Sequence, residues 1–259
     1  MNAPFLSFRD VSVTLGGREI VQRATAHFAG AGLVALVGPN GAGKTTLIKA
    51  LVGLLPSSGV IEIENVAAQH LTARERALRV GYLPQGQPIH WPLPAQDIVA
   101  LGRYAHGAHD PSRLSDKDRK AVERAMASAD AATFTGRRVT ELSGGERARV
   151  ALARVLATEA PIIFADEPIA SLDPRHQLTV MALMKRLADQ GRLVVVVLHD
   201  LRLAWRYADR AIVIHDGRII ADGPPQEALA PQVLDEAFGV SAAILSHEGR
   251  SHFTMLEPI

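Results

Sequence analysis

Between residues 33 and 56 the chain passes from an apolar run into a glycine-rich loop and out into a helix, and few folds accept that order. Residues 33–37 (LVALV) show no alternation, as expected of a strand buried on both faces. Gly38-Pro39-Asn40-Gly41-Ala42-Gly43-Lys44-Thr45 follows at once and fits the pattern G-x-x-x-x-G-K-[ST]. Residues 44–56 then carry apolar side chains at helical spacing, with Pro56 as the expected stop. Glycines let backbone N–H groups converge on one point, and a helix start adds unpaired N–H groups. Such a loop suits phosphate. Lys44 is placed to reach the β- and γ-phosphates of a nucleotide, the Thr45 hydroxyl to hold Mg²⁺, and Thr46 completes the binding set. The plainer alternative is a glycine-rich turn with a solvated lysine; the buried strand before it and the helix after it argue against that.

The surrounding pattern is α/β. Residues 5–13 read as a strand, Gly16-Gly17 as a turn, and a second strand-like segment runs to Phe28. Residues 60–64 (VIEIE) alternate like a half-buried strand. Pro88, Pro92 and Pro94 punctuate a loop, after which helical patterns dominate to about residue 160. Residues 161–165 and 193–198 are further buried-strand candidates, and 211–221 reads as a hairpin around Asp216-Gly217. The expectation is one domain over 1–259. A nucleotide-binding core of 1–87 and 161–240 carries a mostly parallel sheet and an N-terminal antiparallel β-subdomain. An α-helical subdomain is inserted at 88–160, and 241–259 forms a C-terminal tail.

Two further segments carry chemistry. Residues 162–165 (IIFA) form an apolar strand that closes in Asp166-Glu167. If the strand continues, neighbouring side chains point opposite ways. One carboxylate, Asp166, can then face a metal while the other, Glu167, polarises a water. A solvated turn, suggested by Pro168, is the plainer reading. The strand at 193–198 likewise ends at His199-Asp200, at the sheet edge where ligands bind in open α/β folds; a histidine bonded within its own turn is the alternative. Ser143-Gly144-Gly145-Glu146 opens a strongly helical stretch. Ser143 as N-cap and Glu146 three residues on make a capping box. Two glycines in a first turn weaken it by roughly 1 kcal/mol each relative to alanine. That cost makes sense if something must approach the backbone closely, and an anion is the natural candidate. One loop already holds the phosphates, so this second anion site is available to another molecule's nucleotide, which implies a dimer.

Composition narrows the partners. The 28 basic and 27 acidic residues leave a formal charge of +1, which gives no argument for nucleic acid. There is no cysteine, hence no disulfide framework and no thiolate site. The opening residues lack the basic-then-apolar pattern of a signal peptide, and no apolar run approaches the length of a bilayer span, so a soluble chain is expected whose membrane role comes through partners.

Taken together, Gly38–Thr45, Gln85 in YLPQ, Leu142-Ser143-Gly144-Gly145-Glu146, Asp166-Glu167, Ser171-Leu172-Asp173 and His199 resemble the ABC ATPase family in order and spacing. The resemblance implies a RecA-like P-loop NTPase core that binds ATP and Mg²⁺. It casts Gln85 as a loop glutamine that touches Mg²⁺ and senses a membrane partner. Ser143, Gly144 and Gly145 become donors to the opposite subunit's γ-phosphate, Asp173 a link across the interface, and His199 the switch histidine. The implied assembly is an ATPase homodimer under two membrane permease subunits, with a substrate-binding protein beyond them. It would lie, as a peripheral subunit, at the cytoplasmic face of the inner or plasma membrane. Three positions depart from the family pattern: Leu15 stands where an aromatic usually stacks on adenine, Glu146 replaces a commoner Gln, and Ile169 a commoner Thr.

A finer resemblance is to the importers of ferric siderophores, haem and cobalamin. It rests on DIVALGRY at 97–104 with His106, His176-Gln177, LHDL at 198–201 with RYAD at 206–209, and Phe238-Gly239-Val240. His106 and His109 in one loop are too few for a metal site. Rival readings are a metal-ion importer or an exporter of the same fold, a soluble ABC ATPase outside transport, and a P-loop GTPase; no N-K-x-D-like base-reading motif is present.

Overall fold

The computed structural model describes residues 6–86, 89, 91–170, 172–247 and 250–258. Residues 1–5, Pro88 and Ser171, on which part of the reading above falls, lie outside them. In chain order, β1 (Leu6–Leu15) and β2 (Arg18–Phe28) form a hairpin, and β3 (Gly32–Val37) leads into α1 (Lys44–Leu51). Then come β4 (Ser58–Ile63), β5 (Val66–Ala67), α2 (Ala73–Arg79) and β6 (Val80–Leu83). Helices take over with α3 (Ala95–Ala100), α4 (Asp116–Ser128) and α5 (Gly144–Leu156), joined by short 3₁₀ turns. Next are β7 (Ile162–Asp166), α6 (Pro174–Asp189), β8 (Leu193–Val197), α7 (Leu201–Tyr207), β9 (Arg210–His215) and β10 (Arg218–Gly223). The chain closes with α8 (Pro225–Ala228), α9 (Pro231–Phe238) and a hairpin of β11 (Val240–His247) and β12 (Arg250–Pro258), where a tail was expected.

The central sheet has the order β10-β9-β3-β8-β7-β6 and is parallel except for its edge strand β10. Strand β8, LVVVV, lies between β3 and β7 with every residue buried. β-Branched side chains with both faces covered are what such a strand requires, and each valine contributes about 1.5–3 kcal/mol by burial. One face packs under α5, α6 and α7. The other packs on α1 and the antiparallel sheet β2-β1-β4-β5. The architecture is that of a P-loop NTPase.

Parallel strands end at one edge. Val37, Leu83, Asp166 and Val197 therefore deliver the glycine-rich loop, Gln85, the acidic pair and His199 to the same rim of the sheet. Asp216-Gly217 makes the expected hairpin turn, with φ of 45° and 77°.

Two local expectations are corrected. α1 ends at Leu51, before Pro56; Gly53 takes φ +80° and turns the chain away. Glu167 does not continue the strand from Asp166. Its φ of +51° places it in the left-handed region, so the turn, not strand alternation, splays the two carboxylates.

Candidate active site

The phosphate loop is shaped by close backbone approaches. Gly38 has φ +153°, and a Cβ there would lie 2.1 Å from the Ile214 carbonyl oxygen. Gly43, at φ +102°, is the N-cap of α1 and supplies no side-chain cap. The first N–H groups of α1 thus keep their capacity for an outside acceptor. Lys44 is buried, and its Nζ donates to the carbonyls of Gly38 at 2.7 Å and Pro39 at 2.8 Å, bracing the loop from within. Burial lowers its pKa, against the nearby charges of Glu167 and Asp166.

Across from the loop, Thr45 Oγ1 donates to Asp166 Oδ1 at 3.1 Å. Asp166 is 1% exposed, and its Oδ2 is buried with no hydrogen-bond partner. Burial raises its pKa and Glu167 adds to the rise, while the Thr45 hydrogen bond opposes it. A buried carboxylate oxygen without a partner beside a hydroxyl is a hard-oxygen donor set that fits Mg²⁺. Glu167 sits between two donors: Gln85 Nε2 reaches its Oε2 at 2.7 Å and His199 Nε2 its Oε1 at 2.5 Å. That bond uses the Gln85 amide N–H and leaves its Oε1 able to accept.

Through its bond to Thr45, Asp166 adjoins a cleft of ≈ 1090 Å³ that Lys44, Thr45, Gln85, Glu167 and His199 line. It runs from Gln85, Glu167 and His199 past Pro39, Asn40, Gly41, Ala42, Gly43, Lys44, Thr45 and Thr46 to Leu15 and Arg18. Ser143, Gly144, Gly145, Glu146 and Asp173 do not line it. Ser143 and Glu146 form the expected capping box, with Ser143 N donating to Glu146 Oε2 at 2.7 Å and Glu146 N to Ser143 Oγ at 3.3 Å. Gly144 opens onto a separate cavity of ≈ 430 Å³ that also touches Gln85 and Glu167. Asp173 caps α6, accepting from His176 N at 3.0 Å and meeting its Nδ1 at 2.7 Å.

A family profile for the ABC transporter matches residues 21–170, which hold the loop, the capped glycine helix and the acidic pair. The chain belongs to the ABC transporter family. It is 44% identical over 236 residues to the hemin import ATP-binding protein of Streptomyces coelicolor, covering 91% of this chain and 83% of that one. It is 38% identical to the cobalamin import ATP-binding protein of Halobacterium salinarum, over 92% of this chain and 60% of that one. Among solved structures, a dimeric bacterial ABC transporter cassette superposes with TM-score 0.76 at 27% identity, over 85% of this chain and 98% of that chain. A metal-chelate type ABC transporter in an inward-facing conformation gives TM-score 0.82 over 98% of both chains; at 23% identity it speaks for the fold. As an ABC ATPase the chain binds ATP and couples its hydrolysis to transport. Among the described residues no helix is long and apolar enough to cross a membrane.

Two features of this ABC cassette escaped the sequence reading. Arg103, noted only for its motif, is fully buried; it pairs with Asp118 at 2.8 Å and Glu159 at 2.9 Å and donates to the Ala157 carbonyl at 2.8 Å. It ties the segment after α3 to α4 and to the end of α5. Tyr82 has a buried hydroxyl without a partner, its pKa pushed up to about 12 by burial and then by the charge of Asp166. Neither residue could be placed before the helices and strands around it were. His106 is engaged by the Thr158 carbonyl at 2.8 Å, and His109 packs on the Tyr104 ring.

Proposed function

We propose that two copies of the chain close on two ATP·Mg²⁺, each held between the phosphate loop of one copy and the Ser143–Gly145 helix start of the other. The observation that carries this reading is Gly144. Its chain neighbours and its own helix backbone aside, nothing among the described residues comes within 4 Å of where a Cβ would sit, and its φ is not positive, so neither tertiary packing nor backbone conformation requires glycine. The requirement then comes from outside: a phosphate approaching the first turn, with Gly145 beside it. The dimeric cassettes among the structural relatives support it.

Within this arrangement Thr45, Asp166 and Gln85 hold Mg²⁺, which supplies neutralisation of phosphate charge when bound. Lys44 exchanges its loop carbonyls for the β- and γ-phosphates. Glu167, held by Gln85 and His199, accepts a hydrogen bond from the attacking water. His199 donates to the γ-phosphate once Glu167 turns to the water. Asp173 links the two sites across the interface. Closure moves the helical residues 88–160 relative to the core of 1–87 and 161–240, and this motion pushes on two permease subunits at the cytoplasmic face of the membrane. A substrate-binding protein feeds the far side. The cargo is haem, cobalamin or a ferric siderophore; the names of the hemin and cobalamin relatives support the first two, and the sequence resemblance alone the third. Uptake of labelled haem, cobalamin and ferric siderophore in cells carrying the native chain or Lys44→Ala tests it. Loss of one cargo in the variant names the substrate; unchanged uptake of all three overturns the import assignment.

A further inference from the structure

His176 and Gln177 stand together in the sequence, and the reaction described so far leaves the pair without a role. Both lie in the first turn of α6, whose buried Val180, Met181, Leu183 and Met184 anchor it in the core. That turn is a fixed post. From it both side chains reach back to the segment that carries Glu167 and Asp173. Gln177 Nε2 donates to the Ile169 carbonyl at 3.3 Å. Ile169 follows Glu167 by two residues, its side chain is buried, and Ala170 N closes a turn onto the Glu167 carbonyl at 3.3 Å. At the other end His176 engages both carboxylate oxygens of Asp173, its backbone N–H donating to Oδ1 and its Nδ1 to Oδ2. An ionised carboxylate has no proton to give, so Nδ1 carries it. Capping α6 takes only the first of these two bonds. The second stops rotation of the carboxylate plane. A carboxylate offers roughly four lone-pair sites, and His176 fills one on each oxygen. The Asp173 side chain is still 59% exposed, so its remaining lone pairs point outward in a fixed direction.

We infer that His176 and Gln177 are positioning residues that hold Asp173 and the main chain beside Glu167 to one rigid element, the first turn of α6. His176 aims Asp173 at the partner copy. Gln177 ties Ile169 to the same turn, so closure against the partner at Asp173 sets the water-polarising carboxylate in the same step. The two ATP sites are thereby coupled through packed and hydrogen-bonded groups. Without the pair, the helix cap survives and the two ends of the segment respond separately. The inference rests on the dimer reading above.

The test measures hydrolysis by the purified full-length chain against ATP concentration, with thermal melts beside it. Two coupled sites give the native chain a Hill coefficient above one, up to about 2. His176→Ala keeps the backbone cap, so it should melt as the native chain does. Its Hill coefficient should fall to about 1, and kcat about tenfold with KM little changed. Gln177→Glu sets an oxygen against the Ile169 carbonyl and should do the same. His176→Asn returns an amide N–H close to the place of Nδ1 and should restore both values. Native cooperativity and kcat in His176→Ala overturn the inference, as does an Asn variant no better than the alanine. So do a native chain without cooperativity and a variant whose lost activity only follows a lower melting temperature. If Glu167→Gln sediments as a monomer with ATP·Mg²⁺, the dimer reading itself fails. A dimer there, with native behaviour of His176→Ala, sinks this inference alone.

Discussion

Replacing Gly144 by alanine separates folding from function at a single methyl group. Beyond its chain neighbours and its own helix backbone the added Cβ meets nothing within 4 Å among the described residues, and residue 144 is the first residue of α5. Alanine loses less backbone entropy than glycine in a helix, by about 0.5–1 kcal/mol. For a chain of this size that raises Tm by about 1–4 °C. If the first turn of α5 must approach a partner's γ-phosphate, the same methyl group intrudes on that contact. ATP hydrolysis should then fall at least about tenfold, equivalent to about 1.4 kcal/mol in the barrier. Thermal melts of the nucleotide-free chain and ATPase assays at saturating ATP·Mg²⁺ measure the two effects. A variant that melts higher and hydrolyses ATP at the native rate refutes the approach of an anion to Gly144. One that melts several degrees lower refutes the local reading of the turn.

Other predictions follow from the same geometry. Gly38→Ala drives a Cβ to 2.1 Å from the Ile214 carbonyl, so the loop must shift. Denaturant titration should show a loss of about 1–3 kcal/mol, with ATP binding abolished. Arg103→Met leaves Asp118 and Glu159 without their buried cation and should cost about 3 kcal/mol by the same assay, with the ATP site unaltered. Asp166 has a pKa raised by burial. A raised folded-state value means that the group favours folding below its unfolded pKa of about 3.9 and loses that contribution as pH rises through the folded value. Asp166→Asn should therefore melt no lower than the native chain at neutral pH without Mg²⁺, and this advantage should vanish near pH 3. Stabilisation by ATP·Mg²⁺ over ATP alone should disappear in the variant.

The sequence made the phosphate end of the site legible because its chemistry is local. Glycines with left-handed φ, a lysine and a threonine need only the strand before and the helix after to be placed. The C-terminal ends of β3, β6, β7 and β8 converge because parallel strands share an edge, so Asp166, Glu167 and His199 could be gathered from patterns, while Gln85 came only with the family resemblance. The failures are where tertiary contacts decide. The helix stop at Gly53 was masked by the louder Pro56. The left-handed φ of Glu167 could not be read from a strand that ends one residue earlier. The burial of Arg103 depends on three separate segments meeting, and an arginine in a motif gives no sign of that. The hairpin β11–β12 lies in a stretch with little alternation, whose strands are fixed by each other's register.

The central claim is that Glu167 drives hydrolysis in a dimer closed over ATP. Sedimentation of the Glu167→Gln variant with ATP·Mg²⁺ and with ADP tests it most directly. The account predicts a dimer with ATP, a monomer with ADP, and hydrolysis reduced at least about a hundredfold. A variant that stays monomeric with bound ATP, or turns it over at the native rate, would contradict it.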